Sequence, residues 1–143
     1  MGLFFALFAS FALLVAATPA APAVAQTSSR AQQAAPPKAE DVAAYDAAFQ
    51  ESLSNPADPP TLVRFAAAAV KVGDLEGAIS ALERLLLIDG DNPEVQLELG
   101  VLYFRLGSLE AAKTYLEGAR TSPRASAETK TRAASYLREA SRP

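Results

Sequence analysis

Apolar side chains recur at spacings of three and four over most of residues 39–140, which is the period of helices that bury one face. Val42, Tyr45, Phe49 and Leu53 form the first stripe. Asn55, Pro56, Asp58, Pro59 and Pro60 end that helix and make a turn. Thr61 to Val72 follows, with Leu62, Phe65, Ala66, Ala69 and Val70 as candidate core. After Gly73-Asp74, Leu75 to Ile88 turns Leu75, Ala78, Ile79, Leu82, Leu85 and Leu86 to one side. Asp89 to Pro93 closes this unit: Gly90 suits a left-handed cap and Pro93 suits the first turn of the next helix. Pro93 to Leu106 then points Leu99, Leu102, Tyr103 and Leu106 inward, and Leu109 to Arg120 does the same with Ala112, Tyr115, Leu116 and Ala119. A final helix, Ala127 to Ala140, has the sparse face Ala133, Tyr136 and Leu137, and its polarity suits a terminal cap. Every organised segment reads as helix, so the expected class is all-α.

The pattern repeats. "VGDLEGAISALE" begins at Val72 and "LGSLEAAKTYLE" at Leu106, a spacing of 34 residues. Gly73, Leu75, Glu76, Ala78, Leu82 and Glu83 recur as Gly107, Leu109, Glu110, Ala112, Leu116 and Glu117, and Pro59 recurs as Pro93. A fixed period of this length means stacked supersecondary units. The glycines let the chain reverse within one or two residues. Ala78 and Ala112 let two helices of a hairpin cross closely, and Leu82, Leu85 and Leu116 fill the space between hairpins. The expected architecture is a short α-solenoid of antiparallel helical hairpins. Its repeats lie at about 59–92 and 93–126, with terminal helices at 39–53 and 127–140. Ala44 and Pro56 fall on the same grid one period earlier, so residues 39–56 read as half of a preceding repeat.

The start of the chain differs in kind. Residues 3–17, "LFFALFASFALLVAA", are apolar apart from one Ser. That is short of the roughly 20 residues of a membrane span and fits the core of a secretory signal peptide. Ala23-Val24-Ala25 offers small residues at a cleavage site between Ala25 and Gln26. Residues 1–25 are therefore expected to be an export signal, and an uncleaved inner-membrane anchor is the other reading. Residues 26–38, "QTSSRAQQAAPPK", carry no apolar period and read as a disordered linker.

Composition removes several kinds of chemistry. The chain has no His and no Cys, so the usual zinc and thiol sites lack ligands and a Ser–His–Asp arrangement cannot form. It has no Gly-rich phosphate loop and no GxSxG elbow. Asp89, Asp91 and Glu94 look like a fragment of a calcium loop but lack its alternating ligands and closing Glu, so they read as a solvated turn. Asp74-Glu76 and Ser108-Glu110 read as helix starts. No metal, cofactor or enzymatic activity is expected. The net charge of −3 argues against nucleic acid as a partner. The charge is uneven: residues 26–112 carry six basic and thirteen acidic groups, and residues 113–143 carry seven basic and three acidic. The basic end would suit an anionic membrane or an acidic partner, or be a solvated surface.

"PEVQLELGVLYFRLGSLEAAKTYLEGA", Pro93 to Ala119, resembles the tetratricopeptide repeat, with Leu99-Gly100, Tyr103, Gly107, Ala112, Leu116 and Ala119 where that family expects them. Pro59 to Asn92 is a looser copy, with Phe65-Ala66 in place of the usual Leu-Gly and Gly90 in place of the closing Pro. The resemblance implies a protein-interaction module whose first helices line a concave groove. By the period, the groove positions are Val63, Arg64, Ala67, Val70 and Lys71, then Leu97, Glu98, Val101, Phe104 and Arg105. An apolar strip edged by Lys71 and Arg105 would suit an extended or helical peptide with apolar anchors and an acidic flank. In the alternative reading, Leu97, Val101 and Phe104 pack against a neighbouring helix or a second copy. A narrower resemblance rests on the apolar start, the linker, "ALERLLLIDGDNPEVQLELGVLYFRLGSLEAA" and "SYLREASRP". It is to the periplasmic repeat module that precedes the β-barrel in outer-membrane proteins of the surface lipoprotein assembly modifier type. No alternating barrel strands follow here. The resulting expectation is an exported, periplasmic scaffold that binds a protein of the cell envelope. The alternatives are a membrane-anchored component of a larger assembly and a truncated module of a barrel protein. Homo-oligomers through the groove or the first helix are a further arrangement open to so small a domain.

Overall fold

A computed structural model describes residues 36–142, which form six α-helices. The expected export signal at 1–25, and the linker up to residue 35, lie outside the described residues. The helices are α1 (Ala39–Ser54), α2 (Pro59–Val72), α3 (Leu75–Ile88), α4 (Pro93–Arg105), α5 (Leu109–Thr121) and α6 (Ala127–Ala140). None of them is long and apolar enough to cross a membrane.

Local chemistry sets the helix boundaries. The Asp58, Asp74, Asn92 and Ser126 side chains accept backbone N–H groups from the first turns of α2, α3, α4 and α6. Pro59 and Pro60 lie inside α2, where their missing N–H groups cost nothing, so α2 begins two residues earlier than its apolar pattern suggests. Gly73 and Gly107 have φ of +88° and +76°, the left-handed conformation each hairpin needs to reverse. Gly90, expected to play the same part, does not: α3 ends through the backbone N–H of Asp89 bonded to the Leu85 carbonyl. Ser108 precedes α5 without a side-chain cap bond.

Consecutive helices pack as antiparallel neighbours, and α4 also packs on α6. One core cluster joins α1 to α4 through Leu62, Phe65, Ala69, Ala78, Leu82 and Leu99. A second joins α4, α5 and α6 through Leu97, Ala112, Leu116, Ala119 and Ala133. Leu62, Leu99 and Leu116 are fully buried, and each such side chain contributes roughly 1.5–3 kcal/mol. Two expectations need correction. Val42, Phe49 and Leu53 are exposed at 38–60%, and the buried residues of α1 are Ala48 and Ser52. Tyr45 and Phe49 instead cover the rim of Phe65, each with its ring centroid 5.7 Å from that ring. Leu106 is also exposed, because α4 ends before it and the chain turns away.

Candidate partner-binding groove

The three first helices, α2, α4 and α6, are spaced unequally. The α4–α6 seam is closed. Phe104 meets Tyr136 edge-on at 5.7 Å, Arg132 pairs with Glu98 at 3.1 Å, and the Thr129 hydroxyl donates to Glu94. Arg124, just before α6, forks onto Asp89, and that ion pair holds the Asp89 carboxyl below the usual carboxylate range. Ser122 donates to Asp91. The three acids that resembled part of a calcium loop thus bind the last helix and its approach to the preceding turn.

The α2–α4 seam has none of these ties. Their Cα atoms come no closer than 8 Å. Arg64, which stands one period before Glu98, turns the other way and pairs with Glu51 on α1, with help from the Thr61 hydroxyl. What remains is a cleft of about 380 Å³ with Leu82 and Leu102 at its base, Val63, Ala67 and Val70 on the α2 wall, and Glu98 on the α4 wall. The small side chains Ala66 and Ala67 keep it open. Val63 is 53% exposed, an apolar side chain that the fold leaves in water.

The positions expected to share one groove are therefore divided. Val63, Ala67, Val70 and Glu98 line the α2–α4 cleft. Arg64, Lys71 and a second side of Ala67 line a shallower cleft between α1 and α2. Arg105 is exposed at the end of α4. Leu97 is not accessible: it is 1% exposed in the core beneath α6. Val101 and Phe104 are half-buried against the same core. The reading in which these three pack on a neighbouring helix is the one the structure bears out. The sequence did hold the signal: Ala133, Tyr136 and Leu137 form a stripe one period after Leu99, Leu102 and Tyr103, and such a stripe needs a surface to cover.

On the opposite side, Glu83 of α3 accepts from the Tyr103 hydroxyl at 2.7 Å and from that of Tyr115 at 3.4 Å. The two rings stack at 5.5 Å. The hydrogen bond to Glu83, followed by burial, pushes the Tyr103 phenol up to about 12. Burial comes first for Tyr115, whose phenol is also raised. This arrangement fixes α3 against α4 and α5, so the angle between α2 and α4 is carried through α3.

A family model described as tetratricopeptide repeat matches residues 69–128, from the end of α2 into the first turn of α6. No curated protein matches the chain.

Proposed function

This chain is a tetratricopeptide-repeat protein, a family whose repeats mediate protein–protein interaction, and we propose that its α2–α4 cleft captures an apolar segment of a protein partner. The observation that carries this reading is the unequal spacing of the first helices. The α4–α6 seam is filled by the chain's own side chains, whereas the α2–α4 seam exposes Val63, Ala67 and Val70 over an apolar base. Burying two or three partner side chains there would recover the hydrophobic free energy that the fold leaves unused. Arg105 is exposed at the end of α4, and a partner with an acidic flank would meet it there. We further place this activity in the periplasm, on the apolar core at residues 3–17 and the Ala23-Val24-Ala25 site.

A cross-linking pull-down from the envelope fraction tests both parts. The wild-type bait should retain a partner that Val63→Glu loses, with the helical circular dichroism of the two unchanged. The recovered bait should begin at Gln26 by mass. Capture that survives Val63→Glu would move the site elsewhere, and a bait that retains residues 1–25 would place it at the membrane.

A further inference from the structure

Among the described residues, the 34-residue register leaves the first and last helices unmatched, and their faces are complementary. α1 lies one period before α3, so it is a second helix, and among the described residues no first helix precedes it. α6 lies one period after α4, so it is a first helix, and no second helix covers it among the described residues. Residues 36–38, directly before α1, are not helical, and Pro36 and Pro37 stand there in register with Val70 and Lys71 of α2. We propose that copies of this chain join head to tail, with α6 of one copy seated on α1 and α2 of the next.

Burial shows which faces are left uncovered. On α3, Ala78 and Ala81 are 0% exposed because α2 lies on them. Their counterparts one period earlier, Ala44 and Ala47, are exposed beside a cleft between α1 and α2. On α2, Leu62, Ala66 and Ala69 are buried beneath α3, whereas their counterparts on α6, Lys130, Ala134 and Leu137, are only half-buried.

The hairpin already present in the chain gives the docking register. A Cβ added at Gly100 of α4 would lie 2.5 Å from Leu116 of α5, and one at Gly118 would meet the Gln96 side chain. Shifted by whole periods, the first pair becomes Ala134 opposite Ala48. Ala48 already packs in the core against α2 and lies beside the exposed Ala44 and Ala47, so that small residues border the approach. The second becomes Lys130 opposite Gln50, next to Glu51. Lys71 and Glu139 occupy the same level of the first-helix row, two periods apart, and would come together across the junction. Arg132 and Arg64 also meet at one level, each already holding a carboxylate, Glu98 and Glu51. The wider charge pattern agrees. α1 carries Glu40, Asp41, Asp46 and Glu51 and no Lys or Arg, whereas residues 113–143 carry seven basic and three acidic groups. A symmetric pairing of two α1 helices would set acid against acid. A head-to-tail contact does not close on itself and extends with concentration. Its alanine-lined, charge-assisted surface makes it weak and sensitive to salt.

The chain contains no cysteine, so a disulfide test reports only what is introduced. Ala48→Cys and Ala134→Cys are made as separate proteins, mixed and mildly oxidised. The mixture should form a mixed dimer roughly tenfold faster than Ala134→Cys mixed with Ser108→Cys, because docking raises the local thiol concentration. Added salt should slow it, and the double variant should give a ladder. If Ala48→Cys is not helical by circular dichroism, Ala47→Cys, at an exposed position, takes its place. Mixed-dimer formation no faster than the control overturns the proposal, and so does Ala48→Cys pairing with itself as fast as the mixture. A partner helix in place of a second copy would give the first of these results.

Discussion

Gly100 and Gly107 lie seven residues apart and serve unrelated physical needs. Gly107 has open space around its Cα but a φ of +76°, so Gly107→Ala costs backbone strain of about 1–2 kcal/mol and nothing in packing. Gly100 has ordinary helical backbone but faces the Leu116 Cγ at 2.5 Å and the Leu116 backbone nitrogen at 3.1 Å from an added Cβ. The leucine tip can rotate away, but the backbone nitrogen cannot, so Gly100→Ala should push α4 and α5 apart at a cost of about 1–3 kcal/mol. Chemical denaturation should show both losses. They separate when Leu116→Ala is added, which should relieve part of the Gly100→Ala cost and none of the Gly107→Ala cost, since only the first pair is in contact. A melt in which the Gly107 variant is rescued instead would reverse the two assignments.

Among the elements, α3 holds the centre through Glu83, which takes a phenol from α4 and another from α5. With the Tyr103 phenol raised to about 12, the unfolded chain gives up its phenol protons first, near 10. The stability from this tie is therefore complete below pH 10 and is lost as the pH rises from there through about 12. Tyrosinate absorbance of the native protein should rise later than that of the denatured chain, and Tyr103→Phe should remove the latest step. A native titration that coincides with the denatured one would mean the bond to Glu83 is not made. Elements of this kind were legible where the period and the packing requirement coincide. Gly73, Gly107, Ala78, Ala112 and Leu116 announce hairpins because closure and crossing permit few alternatives. In α1 the stripe of Val42, Phe49 and Leu53 misleads, since the largest apolar residues lie beside the buried face and do not form it. There the helix approaches α2 through Ala48 and Ser52, and aromatic rings only shield the edge. The repeat grid places Ala48 on the position of Leu82, so register identifies that buried residue where hydrophobicity does not.

Across the whole molecule, the same register position has opposite surroundings in successive repeats. Val63 and Leu97 are equivalent by period, yet one is 53% exposed and the other 1%. Sequence pattern alone treats them alike, because the difference lies in whether the next first helix arrives. α6 comes against α4 through Arg132, Thr129 and Tyr136, whereas α4 stays clear of α2, where Arg64 is held by Glu51 and the wall between Val63 and Val70 carries only alanines. Binding and stability should therefore divide along this line. Phe104→Ala removes an edge-on contact with Tyr136 from a half-buried site, an expected loss of about 2 kcal/mol and roughly 10 °C in Tm for a domain of this size. Partner capture should persist wherever the variant remains folded. Val63→Ala should change stability by no more than about 0.5 kcal/mol while weakening capture, since it strips the α2 wall of its most exposed apolar group. Thermal melts and binding titrations on both variants measure the two effects independently. If Phe104→Ala abolished capture at a temperature where it is fully folded, the partner would have to displace α6, and the α4–α6 seam would then be a gate and not a permanent part of the core.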